Sequence, residues 1–449
     1  MNKVKKTGPS LKLVAFILAV LTAFCLVSCQ PSDKEKEAST TQLPPDQSTP
    51  DSQGEEPEAS DTIDDLFAPL DLIDKLFKEN TIFEVDDEAL VEAVLKAYVN
   101  ATGDRYAEYF TDEEFAKLVD ENKGNFVGVG IRVVQNAKSE FIEIVNVIPD
   151  SPAMHAGVLP GDKIIYIGTG EDRISVSEVG YTMALDVLAG VEGSIAVFTV
   201  DRNGEEIEFS IERKLVVSVS VAHRAYVSES GKKVGIVDIS EFDLTTPIAF
   251  ENAVDELISE GCEYFIFDVR NNPGGDLASI TAVLSFFLND GDTVIRVADR
   301  NGVVSNRSVS PKVYVGDYAG CCITESMIGK YKDLRCAVLT NENTASAAEL
   351  FSAVLKDYGV SFTVGTTTFG KGTMQTTFML ASRGYKGALK LTAHYYYPPF
   401  SDSYEGIGIA PDCHVELDES LKDKSPYLIS DEEDNQLNAA IAELESREK

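Results

Sequence analysis

From about Lys214 onward the apolar residues come in short runs that alternate with stretches of helical spacing. Residues 234–239 lead into a helical pattern over 246–259. Residues 264–269 pass through the turn Arg270-Asn-Asn-Pro-Gly-Gly275 into a second helical pattern over 277–288. Further strands are expected over 293–298, 336–340, 361–364 and 389–396. The polar stretch 301–333 is expected to be a surface excursion. Short apolar runs bounded by Gly, Pro and Asn and interleaved with helices specify an α/β domain.

Two residues of this domain sit where chemistry can use them. Ser346, in Asn341-Glu-Asn-Thr-Ala-Ser346-Ala-Ala-Glu349, follows an apolar strand and opens a helix. Unpaired N–H groups and the helix dipole favour developing negative charge there. Lys371, in Phe369-Gly-Lys371-Gly-Thr-Met-Gln375, is flanked by glycines in a stretch otherwise apolar and hydroxyl-rich. A desolvated lysine activates a serine without a histidine, provided its pKa falls well below the ordinary value of about 10.4. Gln375, four residues on, lies on the same side as Lys371 in either a strand or a helix and is expected to aim the amine. The Ala347 amide is a natural oxyanion donor, and the Pro273-Gly-Gly turn offers Gly274 and Gly275 as others. None of His155, His223, His394 and His414 has comparable surroundings.

The N-terminus reads as an address. Lys3, Lys5, Lys6 and Lys12 precede an apolar run over 13–27 that is too short for a confident membrane span. The run ends in Leu26-Val27-Ser28-Cys29, which resembles the lipobox of bacterial lipoproteins. That resemblance implies residues 1–28 as a signal peptide, lipidation of Cys29, and a place on the outer face of a bacterial membrane. Residues 29–60 are expected to be a disordered tether. The formal charge of −35 excludes nucleic acid as a partner. The cysteines show no metal-type spacing, so neither metal nor cofactor is expected.

Between tether and α/β domain the pattern changes twice. Apolar residues three and four apart, including Ile63, Leu66, Leu70, Ile73, Leu90, Val94 and Tyr98, give a helical region over 61–120. Its first part is expected to be a packing or dimerisation arm, and Thr111 is placed to cap a helix. Residues 121–214 then alternate as strands do, with short helices at 152–157 and 177–188. This stretch resembles a PDZ domain of the bacterial, circularly permuted type. Phe126-Val-Gly-Val-Gly-Ile131 stands at the carboxylate-binding loop, and Ser151-Pro-Ala-Met-His-Ala-Gly-Val-Leu-Pro-Gly-Asp162 follows it. The resemblance implies capture of a peptide C-terminus by Phe126, Val127, Gly128, Val129 and Gly130.

Taken in order, Tyr106-Ala-Glu-Tyr-Phe-Thr111, Phe126–Gly130, Asp268-Val-Arg-Asn-Asn-Pro-Gly-Gly275, Thr344-Ala-Ser346-Ala-Ala-Glu349, Thr368-Phe-Gly-Lys371-Gly-Thr-Met-Gln375 and Gly408-Ile-Ala-Pro-Asp412 resemble the C-terminal processing (tail-specific) serine peptidase family. One departure is Ala348, where many members have a second serine. The resemblance covers residues 61–430. It implies a crotonase-like α/β protease core over 215–430, an inserted PDZ domain and an N-terminal helical arm; the charged tail over 431–449 is expected to be helical. By the same resemblance Ser346 is the nucleophile, Lys371 the base and Gln375 its positioning partner. Substrates would be proteins or peptides with free C-termini, and a homodimer is expected from the resemblance alone. The competing readings are a retired, non-catalytic peptide-binding lipoprotein and an esterase or β-lactam-type acyl enzyme.

Overall fold

The computed structural model describes residues 63–135, 141–148, 150–170, 173–179, 184–185, 188–217, 219–421 and 429–447. The expected signal peptide, Cys29 and the tether lie outside the described residues. The chain divides into two compact units, Met1–Leu90 and Val91–Lys449.

Helix α1 (Ile63–Asn80) lies in the first unit, where Lys78 bridges Asp74 (3.0 Å) and Asp87 (2.7 Å). Phe67, Leu72, Ile73, Leu76 and Phe77 are exposed on it. Helix α2 (Asp87–Ala101) carries the chain into the second unit.

The helical region expected over 61–120 contains a strand, β1 (Glu108–Phe110). Tyr109 and Phe110 are buried and pair across to a strand almost three hundred residues away (Tyr109↔Leu389, Phe110↔Ala388), so tertiary packing overrides the helical run. Thr111 caps α3 (Asp112–Asn122) through a reciprocal box with Glu114.

Strands β2 (Asn125–Gly128), β3 (Ile131–Gln135) and β4 (Ile142–Val147), helix α4 (Pro152–Ala156), strands β5 (Lys163–Ile167) and β6 (Ile174–Ser175), helix α5 (Val176–Val179), and strands β7 (Ile195–Arg202), β8 (Glu205–Glu212) and β9 (Lys214–Val217) form the inserted module. The chain enters and leaves it through the antiparallel pair β2–β9, so that β2 and β9 form a stem. Within it, β3-β4-β5-β7-β8 form one sheet, with β6 on β5, around Ile142, Ile144, Ile164, Phe198 and Val200. The second helix expected there, over 177–188, falls partly outside the described residues.

The α/β domain follows: β10 (Val221–Val227), β11 (Lys233–Ile239), α6 (Thr246–Ser259), β12 (Tyr264–Asp268), α7 (Leu277–Ser285), β13 (Thr293–Ala298), β14 (Val304–Ser308), β15 (Cys336–Thr340), α8 (Ala347–Asp357), β16 (Ser361–Gly365), β17 (Thr373–Met379), β18 (Ala388–Tyr397), β19 (Cys413–His414) and α9 (Asn435–Ser446). Its main sheet runs β10-β11-β12-β15-β16-β19, parallel from β11 onward with β10 antiparallel at the edge. A second sheet, β1-β18-β13-β14 with β17 on β18, carries the segment after Lys371. Parallel strands buried on both faces need no alternation, which is why their runs are continuously apolar. One face packs α6, α7 and α8 through Phe250, Phe267, Phe286, Phe287 and Phe351.

Two sequence expectations change here. The excursion over 301–333 is in part core, since Val309, Cys321, Met327 and Tyr331 are buried and the Tyr331 ring lies 5.0 Å from that of Phe286. The tail over 431–449 is also structural. Leu437, Ala440, Ile441 and Leu444 of α9 cover the other face of the main sheet, and Asp434 and Gln436 bind the buried Arg270.

Candidate active site

The carboxyl ends of β12 and β15 build the site. After β15 the chain turns sharply into α8, and Ser346 stands in that turn with φ 56° and ψ −118°. A non-glycine residue with positive φ costs on the order of 1–3 kcal/mol and persists only where its surroundings hold it. Those surroundings are hydrogen bonds. Thr344 Oγ1 donates to Val269 O (2.8 Å), and the Ala345 amide donates to Asn272 O (2.9 Å). Asn341 Oδ1 accepts from the Asn271 amide (2.9 Å), and Asn341 Nδ2 donates to Asn271 Oδ1 (2.9 Å). The nucleophile turn is thus stitched to the Asn271-Asn-Pro-Gly-Gly275 turn side by side.

Only glycine fits where those turns meet. A Cβ on Gly274 would lie 2.7 Å from Ser346 Cβ and 2.9 Å from the Ala347 nitrogen, and Gly274 has φ 111°. The two glycines nevertheless differ as donors. The Gly274 amide already donates to Asn272 Oδ1 (2.8 Å), so it is not free to meet an oxyanion. Among the described residues, neither the Gly275 amide nor that of Ala347, at the first position of α8, donates a hydrogen bond. Of the expected oxyanion donors, Ala347 and Gly275 therefore remain.

Ser346 and Lys371 are joined through Glu349. This fully buried carboxylate accepts at Oε2 from the amides of Ser346 (2.9 Å) and Lys371 (2.8 Å). At Oε1 it accepts from the Gly370 amide (2.6 Å) and from Thr368 Oγ1 (2.6 Å). Burial pushes its pKa up, and these four donors work against that push. Glu349 fixes both backbones at once. The Lys371 carbonyl is held in turn by the Tyr396 hydroxyl (2.6 Å), whose ring meets that of the buried Tyr404 edge-on at 5.7 Å.

The Lys371 amine is shifted in the direction its sequence position requires. Burial is the largest cause holding its pKa below the ordinary lysine value, and Lys390 and Arg105 push the same way. Glu405 and Glu349 oppose them. Nζ stands 4.3 Å from the centroid of the Tyr106 ring. Among the described residues no hydrogen bond joins it to the Ser346 hydroxyl.

Gln375 departs from the simple phase argument. Lys371 precedes β17, which starts at Thr373, and the ladder with β18 shifts register between Met374 and Gln375. A bulge breaks the two-residue alternation that would align the side chains. Gln375 Nε2 donates to Thr392 Oγ1 (3.3 Å), and Thr392 donates through N (2.7 Å) and Oγ1 (2.9 Å) to Asp104.

The inserted module also narrows its expected site. Phe126, Val127 and Gly128 belong to strand β2, pairing with Val216, Leu215 and Lys214, so only Val129 and Gly130 form the loop. Gly130 has φ 88°, and a Cβ there would strike Ser151 Cβ at 2.2 Å. Three histidines pair with acids: His155 with Asp150, His223 with Glu256 and His414 with Glu416.

Sequence reasoning passed over Glu349, Tyr106, Asp104 and Tyr396. Glu349 had a signal of its own, the Ser-x-x-Glu spacing of a helix start.

A strained serine at a strand-to-helix turn, beside a glycine turn and a partly desolvated lysine, is an arrangement suited to serine-nucleophile acyl transfer. Residues 233–415 match peptidase family S41. The chain is 27% identical over 328 residues to a Staphylococcus epidermidis protein described as a "probable CtpA-like serine protease", covering 73% of this chain and 61% of that one. A Staphylococcus aureus protein of the same description is 28% identical over 344 residues, covering 76% and 63%. The chain thus spans somewhat less than two thirds of the length of these relatives. A solved Bacteroides fragilis protein described as a "putative S41 protease" shares the fold at a TM-score of 0.53 and 18% identity, covering 87% of this chain and 99% of that one.

Proposed function

We propose that the chain is an extracytoplasmic, lipid-anchored serine endopeptidase working through a Ser346–Lys371 pair. The observation that carries this reading is the shared clamp: one buried carboxylate, Glu349, holds the backbones of nucleophile and base in fixed relation.

The neutral Lys371 amine takes the Ser346 proton as Oγ attacks the scissile carbonyl, and the Ala347 and Gly275 amides receive the oxyanion. The ammonium then passes the proton to the leaving amine. Water, deprotonated by the same amine, releases the acyl group and restores Ser346. Because Gln375 spends its amide N–H on Thr392, its carbonyl oxygen is left to accept from the ammonium and aim it. The inserted module acts as the PDZ domain. Amides of Val129 and Gly130 receive the substrate's C-terminal carboxylate, flanked by Phe126, Val127 and Gly128. Cys29 carries the lipid. The exposed apolar face of α1 is the proposed surface for a second copy; sedimentation is expected to show a dimer that Phe77→Glu weakens.

A retired peptide-binding lipoprotein is the second reading, favoured by one observation: the Lys371 amine rests on Tyr106 rather than on Ser346. Apo geometry of this kind tightens in a substrate complex. The test uses an unfolded protein with a free or an amidated C-terminus, with products read by mass spectrometry. Wild type is expected to cleave it, faster with the free end, and Ser346→Ala and Lys371→Ala to lose roughly a thousandfold or more. Cleavage by Ser346→Ala at the wild-type rate would overturn the proposal.

A further inference from the structure

The S41 match begins at residue 233, yet the amine that must lose its proton is covered by a side chain from well before it. The Tyr106 ring sits 4.3 Å from Lys371 Nζ and is delivered by a segment with its own fastenings. Asp104 accepts from Thr392 N (2.7 Å), Thr392 Oγ1 (2.9 Å) and the Tyr106 amide (3.0 Å). Arg105 stacks on the same ring at 4.6 Å and reaches Glu405 (3.4 Å). Glu405 in turn accepts from the Gly372 amide (2.5 Å), next to the lysine. Two residues past Tyr106, β1 pairs with β18, where Glu108 lies opposite Lys390 and bridges it (2.8 Å). Every fastening ends on the strands or turns that hold Lys371 and Gln375.

The charges facing the amine come from all sides and oppose one another. Lys390 on β18 and Arg105 on the entering segment favour the neutral form, while Glu405 and Glu349 on α8 favour the ammonium. With the charges divided, burial is the largest cause of the lowering, and the Tyr106 ring is a surface lying directly against the amine. A ring face also attracts an ammonium, yet on balance burial leaves the amine's pKa lowered. The Tyr106 hydroxyl is buried and has no hydrogen-bond partner among the described residues, so the ring and not the phenol is the working part.

We propose that Tyr106 is a positioning residue of the peptidase site, its ring keeping water from Lys371 so that the amine can act as a base. The proposal rests on the Ser346–Lys371 reading above. It also makes the segment over 104–110 part of the catalytic unit, although it lies outside the S41 match.

The test follows kcat/KM on unfolded casein, and the rate of Ser346 acylation by a fluorophosphonate, as functions of pH in the full chain. Tyr106→Phe is expected to match wild type throughout. Tyr106→Ala is expected to fall roughly tenfold or more near pH 7 and to recover as pH rises, because rehydration returns the lysine toward its ordinary pKa. Tyr106→Leu moves the acid limb the same way by less, and serves if thermal melting shows that the alanine variant is unfolded. An unmoved acid limb in the alanine and leucine variants, or a loss in Tyr106→Phe equal to theirs, overturns the proposal. Ser346→Ala and Lys371→Ala separate the two claims. If both remain active, the dyad reading fails; if both are dead and the acid limb stays put, only the role of Tyr106 fails.

Discussion

Glu349→Gln removes one charge, keeps the volume and leaves the amide one oxygen to accept with. In the better orientation that oxygen keeps the Ser346 and Lys371 amides, and the new NH2 faces Thr368 and Gly370. The Thr368 hydroxyl can turn to accept, but the Gly370 amide is left buried against another donor. One unsatisfied buried donor costs ~1–3 kcal/mol. The two retained bonds lose their charge assistance, ~1 kcal/mol together. Relief of a buried charge offsets part of this, because burial already pushes the carboxyl's pKa up. A net loss of about 2–3 kcal/mol follows, a sizeable share of the 5–15 kcal/mol that holds most domains folded. Urea unfolding reads the stability, and fluorophosphonate acylation of Ser346 reads the site. Acylation is expected to slow on the order of a hundredfold, since small misplacements of reacting groups cost that much. Stability within about 0.5 kcal/mol of wild type, together with an unchanged acylation rate, would show that Glu349 is not the clamp.

Other substitutions test neighbouring parts. Ser346→Gly should abolish acylation yet be more stable than Ser346→Ala by ~1 kcal/mol, because glycine tolerates the positive φ; equal thermal midpoints would argue against strain. Arg270 donates to Asp268 (2.6 Å), Asp434 (2.7 Å) and Gln436 (2.9 Å), so Arg270→Met strands buried carboxylates and should cost ~3–5 kcal/mol in urea unfolding. Lys371 has its folded-state pKa lowered, so the unfolded chain holds that proton to higher pH than the folded one. Stability should therefore rise with pH between the two values, and Lys371→Met should flatten that part of the profile of thermal midpoints.

Ser346 and Lys371 were legible because their signals are local: a polar turn between an apolar strand and a helix, and a lysine set among glycines. The α/β succession was legible for the same reason. Gln375 was placed by a two-residue phase that a bulge and a late strand start defeat. Tyr106 and Asp104 escaped because their partners lie far along the chain, and so did the second partner of Arg270: Asp104 meets Thr392, and Arg270 meets Asp434. No periodicity encodes such pairings. Strand β1 was hidden because its aromatic pair takes meaning only beside β18; the helix of the charged tail was legible, but not the burial of its apolar stripe on the main sheet.

The central claim is that Lys371 makes Ser346 a nucleophile. The measurement is mass-mapped labelling by a fluorophosphonate across pH, in wild type, Ser346→Ala and Lys371→Ala. The label should fall on Ser346, appear faster as pH rises through the lowered lysine pKa, and vanish in both variants. Label on another residue, or a Lys371→Ala protein labelled at the wild-type rate, would contradict it.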